Sequence, residues 1–276
     1  MGVSIGRIKL LNEIIKLNKI NLDKALTYGV LHTNSSNKSV ARVLKKETLK
    51  DLAEEEILHQ NDVFNQLGFI EINSLDYYPH EKPTFTLDLN KPLSSEYVNK
   101  YDLVYDGGTM EHCFNVPMVL ENTIKFLKRG GTVVHVNPMS GQVGHGFYQF
   151  SPTLYYDFYA ANGFDNLKME IYIQLSKREY VYTIPNNKLN KFVNVPRCFM
   201  GARAFIHFSA RKTQEVDEIV FPIQAQYKNH FEINKGISHP KFLNFLFLQK
   251  VKKFIIEKFP ITYLFYLTRK RLRKIL

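Results

Sequence analysis

The sequence predicts an α/β chain: a doubly wound, mainly parallel sheet with a helical C-terminal appendage. Three observations carry the prediction. Short runs rich in β-branched and aromatic residues alternate with longer segments of helical periodicity. Three early runs close on an acid, at Asp76, Asp88 and Asp106. Nearly all the net positive charge is gathered at the end of the chain.

Residues 5–20 place apolar side chains at 5, 8, 11, 14 and 15, the stripe of a helix that covers the sheet. Residues 25–31 read as a first strand, followed by an Asn/Ser-rich polar loop at 32–38. Residues 40–67 are helical in composition, with Gly68 as C-cap. Strands are expected at 69–75, 84–87 and 103–105, ending at Asp76, Asp88 and Asp106. In an open parallel sheet, ligands lie beyond the carboxyl ends of the strands, so acids there are placed to accept from ribose hydroxyls or an exocyclic amine. Asp76 and Asp88 also suit plain turn caps, ordinary work for aspartate after a strand. A helix at 116–128 has Pro117 at its start and Gly130-Gly131 at its end, and 132–136 is apolar enough for a buried parallel strand. Ser151-Pro152 opens another helix, closed by Gly163. Two further β-rich runs, 167–175 and 202–208, enclose a Pro/Asn-rich connection at 185–196. The implied organisation is an N-terminal helix (1–24), a main domain (25–212), a linker (213–240) and a tail (241–276).

At 276 residues, with 45% hydrophobic and 23% charged composition, the chain can bury a sizeable core and is not a disordered segment. Cys113 and Cys198 lie far apart with no CxxC and no spaced histidine pair, so neither a disulfide framework nor a structural zinc site is expected, and no metal ligand is assigned. A reducing, cytoplasmic setting fits this cysteine usage. Charges at Arg7, Lys9, Glu13, Lys16 and Lys19 interrupt any signal-peptide core, and Gly6 breaks a myristoylation pattern. The charge-free stretches 242–249 and 259–268 fall short of the roughly 18 apolar residues of a spanning helix.

The formal charge is +11, and residues 241–276 hold ten Lys or Arg against the single acid Glu257. The main domain is therefore nearly neutral. As a helix, the tail sets Leu243, Phe247, Val251, Phe254 and Ile255 on one face; after Pro260, a second would align Ile261, Leu264, Phe265, Leu272 and Ile275. Apolar residues opposite a cationic face suit an anionic membrane surface, and equally suit packing on the domain or on a partner.

Residues 101–138, YDLVYDGGTMEHCFNVPMVLENTIKFLKRGGTVVHVNP, carry a more specific signal. The segment resembles the fourth-to-fifth-strand region of class I S-adenosylmethionine-dependent methyltransferases, and DGGTMEHCFN together with NPMSGQVGHGFYQFSP resembles a bacterial branch often encoded among surface-polysaccharide genes. The likeness covers roughly residues 25–208. It implies a seven-stranded Rossmann-like sheet, S-adenosylmethionine as cofactor and methyl transfer to a small or lipid-linked acceptor such as a glycan sugar hydroxyl. By the same resemblance, Asp76 would bind the ribose hydroxyls and Asp88 would lie near the adenine amine. Asp106, Gly107, Gly108 and Thr109 would line the floor beneath the methionine part, and Glu111 and His112 would face cofactor or substrate. Cys113 reads as an inert buried thiol. His112 or His145 could serve as general base, His145 from a glycine-bearing loop, GHGFYQF, that suits a substrate lid.

The first loop departs from the family. Where E/D-x-G-x-G-x-G is usual, this chain has ALTYGVLHTNSS with Gly29 alone. Either Gly29 and the polar loop form a modified cradle, or cofactor affinity is weak or lost. The second case gives the alternative, a catalytically inactive methyltransferase-like scaffold that binds a partner or a membrane surface. Nucleic-acid methylation ranks last, because Asp106-Gly-Gly-Thr replaces the aromatic-bearing N/D-P-P-Y/F segment that stacks on a base.

Overall fold

The computed structural model describes residues 2–33, 35–45, 59–175, 178–184, 202–225, 227 and 272–274. The chain runs α1 (Ile5–Asn18), β1 (Lys24–Tyr28), α2 (Asn37–Leu44), α3 (Gln60–Leu67), β2 (Glu71–Asp76), β3 (Phe85–Thr86), β4 (Tyr101–Asp106), α4 (Val116–Phe126), β5 (Leu127–Ser140), α5 (Pro152–Ala161), β6 (Phe164–Leu175), β7 (Arg178–Ile184), β8 (Arg203–Lys212) and β9 (Leu272–Lys274).

One sheet has the order β3-β2-β1-β4-β5-β8-β6-β7-β9. The first five are parallel, whereas β8 runs antiparallel to both β5 and β6, and β7 antiparallel to β6 and β9. The expected seven strands are therefore nine among the described residues, in a mixed sheet. The excess is β7, which returns from β6 within a tight hairpin, and β9 on its free edge. Leu272–Lys274 was expected within a helix; an open strand edge offers unpaired backbone groups that a short strand satisfies. The expected 40–67 helix is instead two, α2 closed by Lys45 in the left-handed region and α3 opened by the His59 capping box. Residues 46–58 between them, the remainder of the expected tail helices and the 185–196 connection lie outside the described residues.

The sheet is covered on both faces because its strands alternate. Leu103, Tyr105, Val134 and Val136 face α1, through Ile8, Leu11 and Ile14. Val104, Val133 and Phe208 face α4 and α5, through Leu120, Ile124, Tyr155 and Phe158. Ser4 caps α1, its Oγ accepting from the Arg7 amide at 3.4 Å, and Asn115 caps α4, accepting from the Met118 amide. Gly130-Gly131 does not end a helix in a loop as expected. It forms a bulge inside β5, where Tyr101 sits opposite Leu127 and Leu103 opposite Thr132. The segment after β8 clasps α5: the Asn162 side chain exchanges hydrogen bonds with both backbone groups of Val220, and the Ala225 amide donates to Asp157.

Candidate functional site

The registers set Leu75, Tyr28 and Asp106 side by side at the carboxyl ends of β2, β1 and β4, with His135 of the longer β5 beside Asp106. Chain order reverses between β1 and β4, so the loops leaving them diverge and open a crevice, the usual ligand position in such sheets. Gly29 lies at that point with φ +74°, its amide donating to the Leu75 carbonyl at 2.7 Å. A Cβ there would meet Thr109 Oγ1 at 3.3 Å and Asp76 Oδ2 at 3.8 Å. The missing side chain thus leaves a cradle walled by Asp76 and Thr109. Thr109 is fixed by donating from Oγ1 to the Tyr28 carbonyl at 2.9 Å. Val30 and Leu31 turn into the core, and the Gln60 side chain accepts from the Leu31 amide and Thr27 hydroxyl, which ties this short loop down without further glycines.

The four acids behave differently. Asp76 accepts from the Tyr78 amide at 3.1 Å, a turn-forming bond that uses only Oδ1. Asp88 holds the Asn90 amide and side chain, which keep its carboxyl below the usual range; Asn90 in turn braces Asn115 at the start of α4. Asp106 is wholly buried. Its Oδ1 accepts from the amides of Gly108 and Thr109, and its Oδ2 meets His135 Nδ1 at 2.9 Å and Asn137 Nδ2 at 2.8 Å. Burial would raise its carboxyl, but the His135 bond and charge, the Thr109 amide and Asn137 hold it below the usual range. Both oxygens are engaged, so Asp106 shapes the floor of the crevice through the turn it holds. Gly107 is tightly packed, and a Cβ there would lie 2.8 Å from Leu31.

Glu111 follows in a 3-10 turn, Met110–His112, and is 1% exposed. Its Oε2 accepts from Asn137 Nδ2 at 3.0 Å, so one amide bridges the Asp106 and Glu111 carboxylates. Burial, then the charge of Asp106, push its carboxyl up to about 8. Tyr155 donates to Asn137 Oδ1 at 2.8 Å, and Tyr159 meets His135 Nε2 at 2.7 Å. Cys113 lies among these groups, its thiol pushed up to about 12 by burial and then by Asp106, Asp88, Glu111 and Asp76.

The loop carrying His145 is sewn onto Glu111. The amides of Phe147 and Tyr148 donate to the Glu111 carbonyl, at 2.7 and 3.3 Å, and a Cβ on Gly146 would lie 2.8 Å from that oxygen. This brings the His112 and His145 rings to 5.0 Å, edge to face, with His145 Nε2 3.7 Å from Glu111 Oε1. Burial and the His145 charge lower the His112 pKa, favouring a neutral imidazole. Beyond them stand Phe114 and Phe147, 72% and 65% exposed and edge to face at 5.7 Å, an apolar rim on the crevice.

The fold therefore brings together Gly29, Asp76 and Thr109 as a cradle, and Glu111, His112 and His145 as a second group beside it. Sequence reasoning missed His135, Asn137, Tyr155 and Tyr159, which position the rest. Two polar residues at alternate places in an apolar strand, and two tyrosines four apart on a helix, were the available signals.

No protein-family model matches the chain, and no curated protein matches it. Among solved structures, it is similar to a SAM-dependent methyltransferase from Archaeoglobus fulgidus, at 12% identity over 74% of this chain and 94% of that one, with a TM-score of 0.43. A putative sarcosine dimethylglycine methyltransferase from Galdieria sulphuraria gives 12% identity over 75% and 85%, with a TM-score of 0.43. The CMeT domain of the citrinin polyketide synthase gives 11% identity over 76% of this chain and a TM-score of 0.41, and this chain spans about half, 52%, of that one.

Proposed function

We propose that the chain is an S-adenosylmethionine-dependent methyltransferase that O-methylates a small or lipid-linked acceptor such as a sugar of a surface glycan. The observation that carries the reading is the Gly29 cradle at the β1/β4 reversal, open onto Asp76 and Thr109. A cofactor with a ribose diol and a cationic sulfonium fits such a place: glycine admits close approach, and the surrounding carboxylates complement positive charge. Asp76, with Oδ2 not used by its turn, would hold the ribose hydroxyls, and Asp88 would lie nearer the adenine. Bound there, the cofactor supplies an electrophilic methyl group.

The chain's own contribution is alignment and proton handling. Asp106 fixes the turn through Thr109 and so sets the depth of the cradle, and in-line placement of a nucleophile against a methyl carbon supplies most of the acceleration. His112, kept neutral, is able to take a proton from an acceptor hydroxyl, with His145 at its side. Phe114 and Phe147 offer faces against which the apolar side of a sugar ring can stack.

Calorimetric titration with S-adenosylmethionine and with S-adenosylhomocysteine tests the reading. Micromolar binding is expected, weakened in Asp76→Ala by about 1.5–3 kcal/mol for loss of a charged acceptor. Silence with both ligands in the folded protein refutes methyl transfer and favours the scaffold alternative. The tail's attraction to anionic membranes is part of the same proposal. Among the described residues no helix is long and apolar enough to cross a membrane.

A further inference from the structure

Glu111, His112 and His145 present one carboxylate oxygen and two imidazole nitrogens that all lie within 4.8 Å of one another. We propose that these three side chains bind a divalent transition-metal ion. The carboxylate is oriented for it: Oε2 is tied to Asn137, itself held by Tyr155, while Oε1 lies on the histidine side, 3.7 Å from His145 Nε2, too far for a hydrogen bond between them. His145 is carried to the spot by two backbone bonds onto Glu111 itself, so the loop and the carboxylate are one unit. Glu111 is buried beside Asp106, and the two imidazoles stand on its open side, so a cation held there faces two acids at once.

The donor set selects the ion. Two nitrogens and one oxygen suit zinc, cobalt, iron or manganese in the divalent state, and not magnesium or calcium, which take oxygen ligands. Metal–nitrogen bonds of about 2.0–2.1 Å put neighbouring donors about 3.3 Å apart. The present spacing closes by rotation of His145, which is 46% exposed and flanked by Gly144 and Gly146, both at positive φ. Three protein ligands leave coordination positions open toward the crevice. An acceptor oxygen bound to the ion there would have its hydroxyl made acidic enough to lose the proton to solvent water, so that neither imidazole has to abstract it directly. That role, unlike the binding itself, rests on the methyl-transfer reading.

The test uses the full chain, stripped with chelator and titrated with cobalt(II) while visible d–d absorption is followed, then with zinc in competition. Expected is one equivalent bound with micromolar or tighter affinity, and at least a tenfold loss in each of His112→Ala and His145→Ala. Both positions are exposed, so these variants keep the fold, which the urea midpoint verifies; Glu111→Gln, buried, is read only if it too keeps its midpoint. Absence of the d–d band, or unchanged affinity in the two histidine variants, overturns the proposal. S-Adenosylhomocysteine binding, measured separately on the stripped protein, reports on the function reading alone, so either can fail without the other.

Discussion

Asn137→Leu removes the one amide that joins two buried carboxylates, and its cost can be worked from the geometry. Leucine fills a similar volume, so little cavity forms. Asp106 Oδ2 loses a 2.8 Å charge-assisted bond but keeps His135; Glu111 Oε2 loses its 3.0 Å bond; the Tyr155 hydroxyl loses its acceptor. A bond to a charged group contributes about 1.5–3 kcal/mol and an orphaned buried hydroxyl costs about 1–3 kcal/mol. The Glu111 loss is smaller, since a carboxyl pushed up to about 8 is mostly protonated at neutral pH. Added apolar contact returns roughly 1 kcal/mol. The expected net loss is about 4 kcal/mol, a large share of a typical stability of roughly 5–15 kcal/mol. In urea, with m of about 3 kcal/mol/M for a chain of this size, the midpoint falls by about 1 M at unchanged m. A midpoint within about 0.2 M of wild type would refute the bridging role and show that water or a rearranged side chain satisfies all three groups.

Two further outcomes follow from the same physics. His207 on β8 is wholly buried, its Nδ1 3.7 Å from Glu170, and burial, then the charges of Lys168 and Arg7, push its pKa down to about 3. The unfolded chain therefore binds a proton below about 6.5 that the folded chain refuses until about 3, so stability falls as pH drops through this window, by about 2 kcal/mol between pH 7 and 5. Urea midpoints across that range check it, and an equal slope in His207→Leu would sink it. Gly146→Ala places a Cβ against the Glu111 carbonyl at φ +75°, at a local cost of about 1–3 kcal/mol. Amide exchange at Phe147 should then quicken by about tenfold or more, and unchanged protection would mean that the loop is not pinned there.

Much of the fold was legible because its signals are local. Helix α1 announces itself by apolar spacing, α4 and α5 by proline in the first turn, and α3 by Gly68, whose φ of +108° ends it. Asp76 and Asp106 were visible as strand-end residues, whereas Asp88 lies two residues past β3, and the roles of all three were not visible. Asp76 faces Gly29, while Asp106 is consumed by His135, Asn137 and the turn it builds. That difference depends on which strand lies next to β4. β7 escaped because its partner is fixed by a hairpin pairing, Leu175 with Arg178, that composition does not mark. Gly130-Gly131 was misplaced for a related reason: a bulge is defined by the opposite strand, here Tyr101 and Leu103.

By itself the sequence determined the alternation of helix and strand, the acids that end β2 and β4, the lone glycine after the first strand and the concentration of positive charge in the last 36 residues. These are properties of neighbours in the chain, set by propensity, periodicity and turn chemistry. Only the tertiary structure decided that Asn137 would join Asp106 to Glu111, and that a loop 33 residues past His112 would return His145 to its side. Such meetings are fixed by strand order, register and a glycine's close approach to a carbonyl, which are relations between distant segments and leave no mark on either one alone.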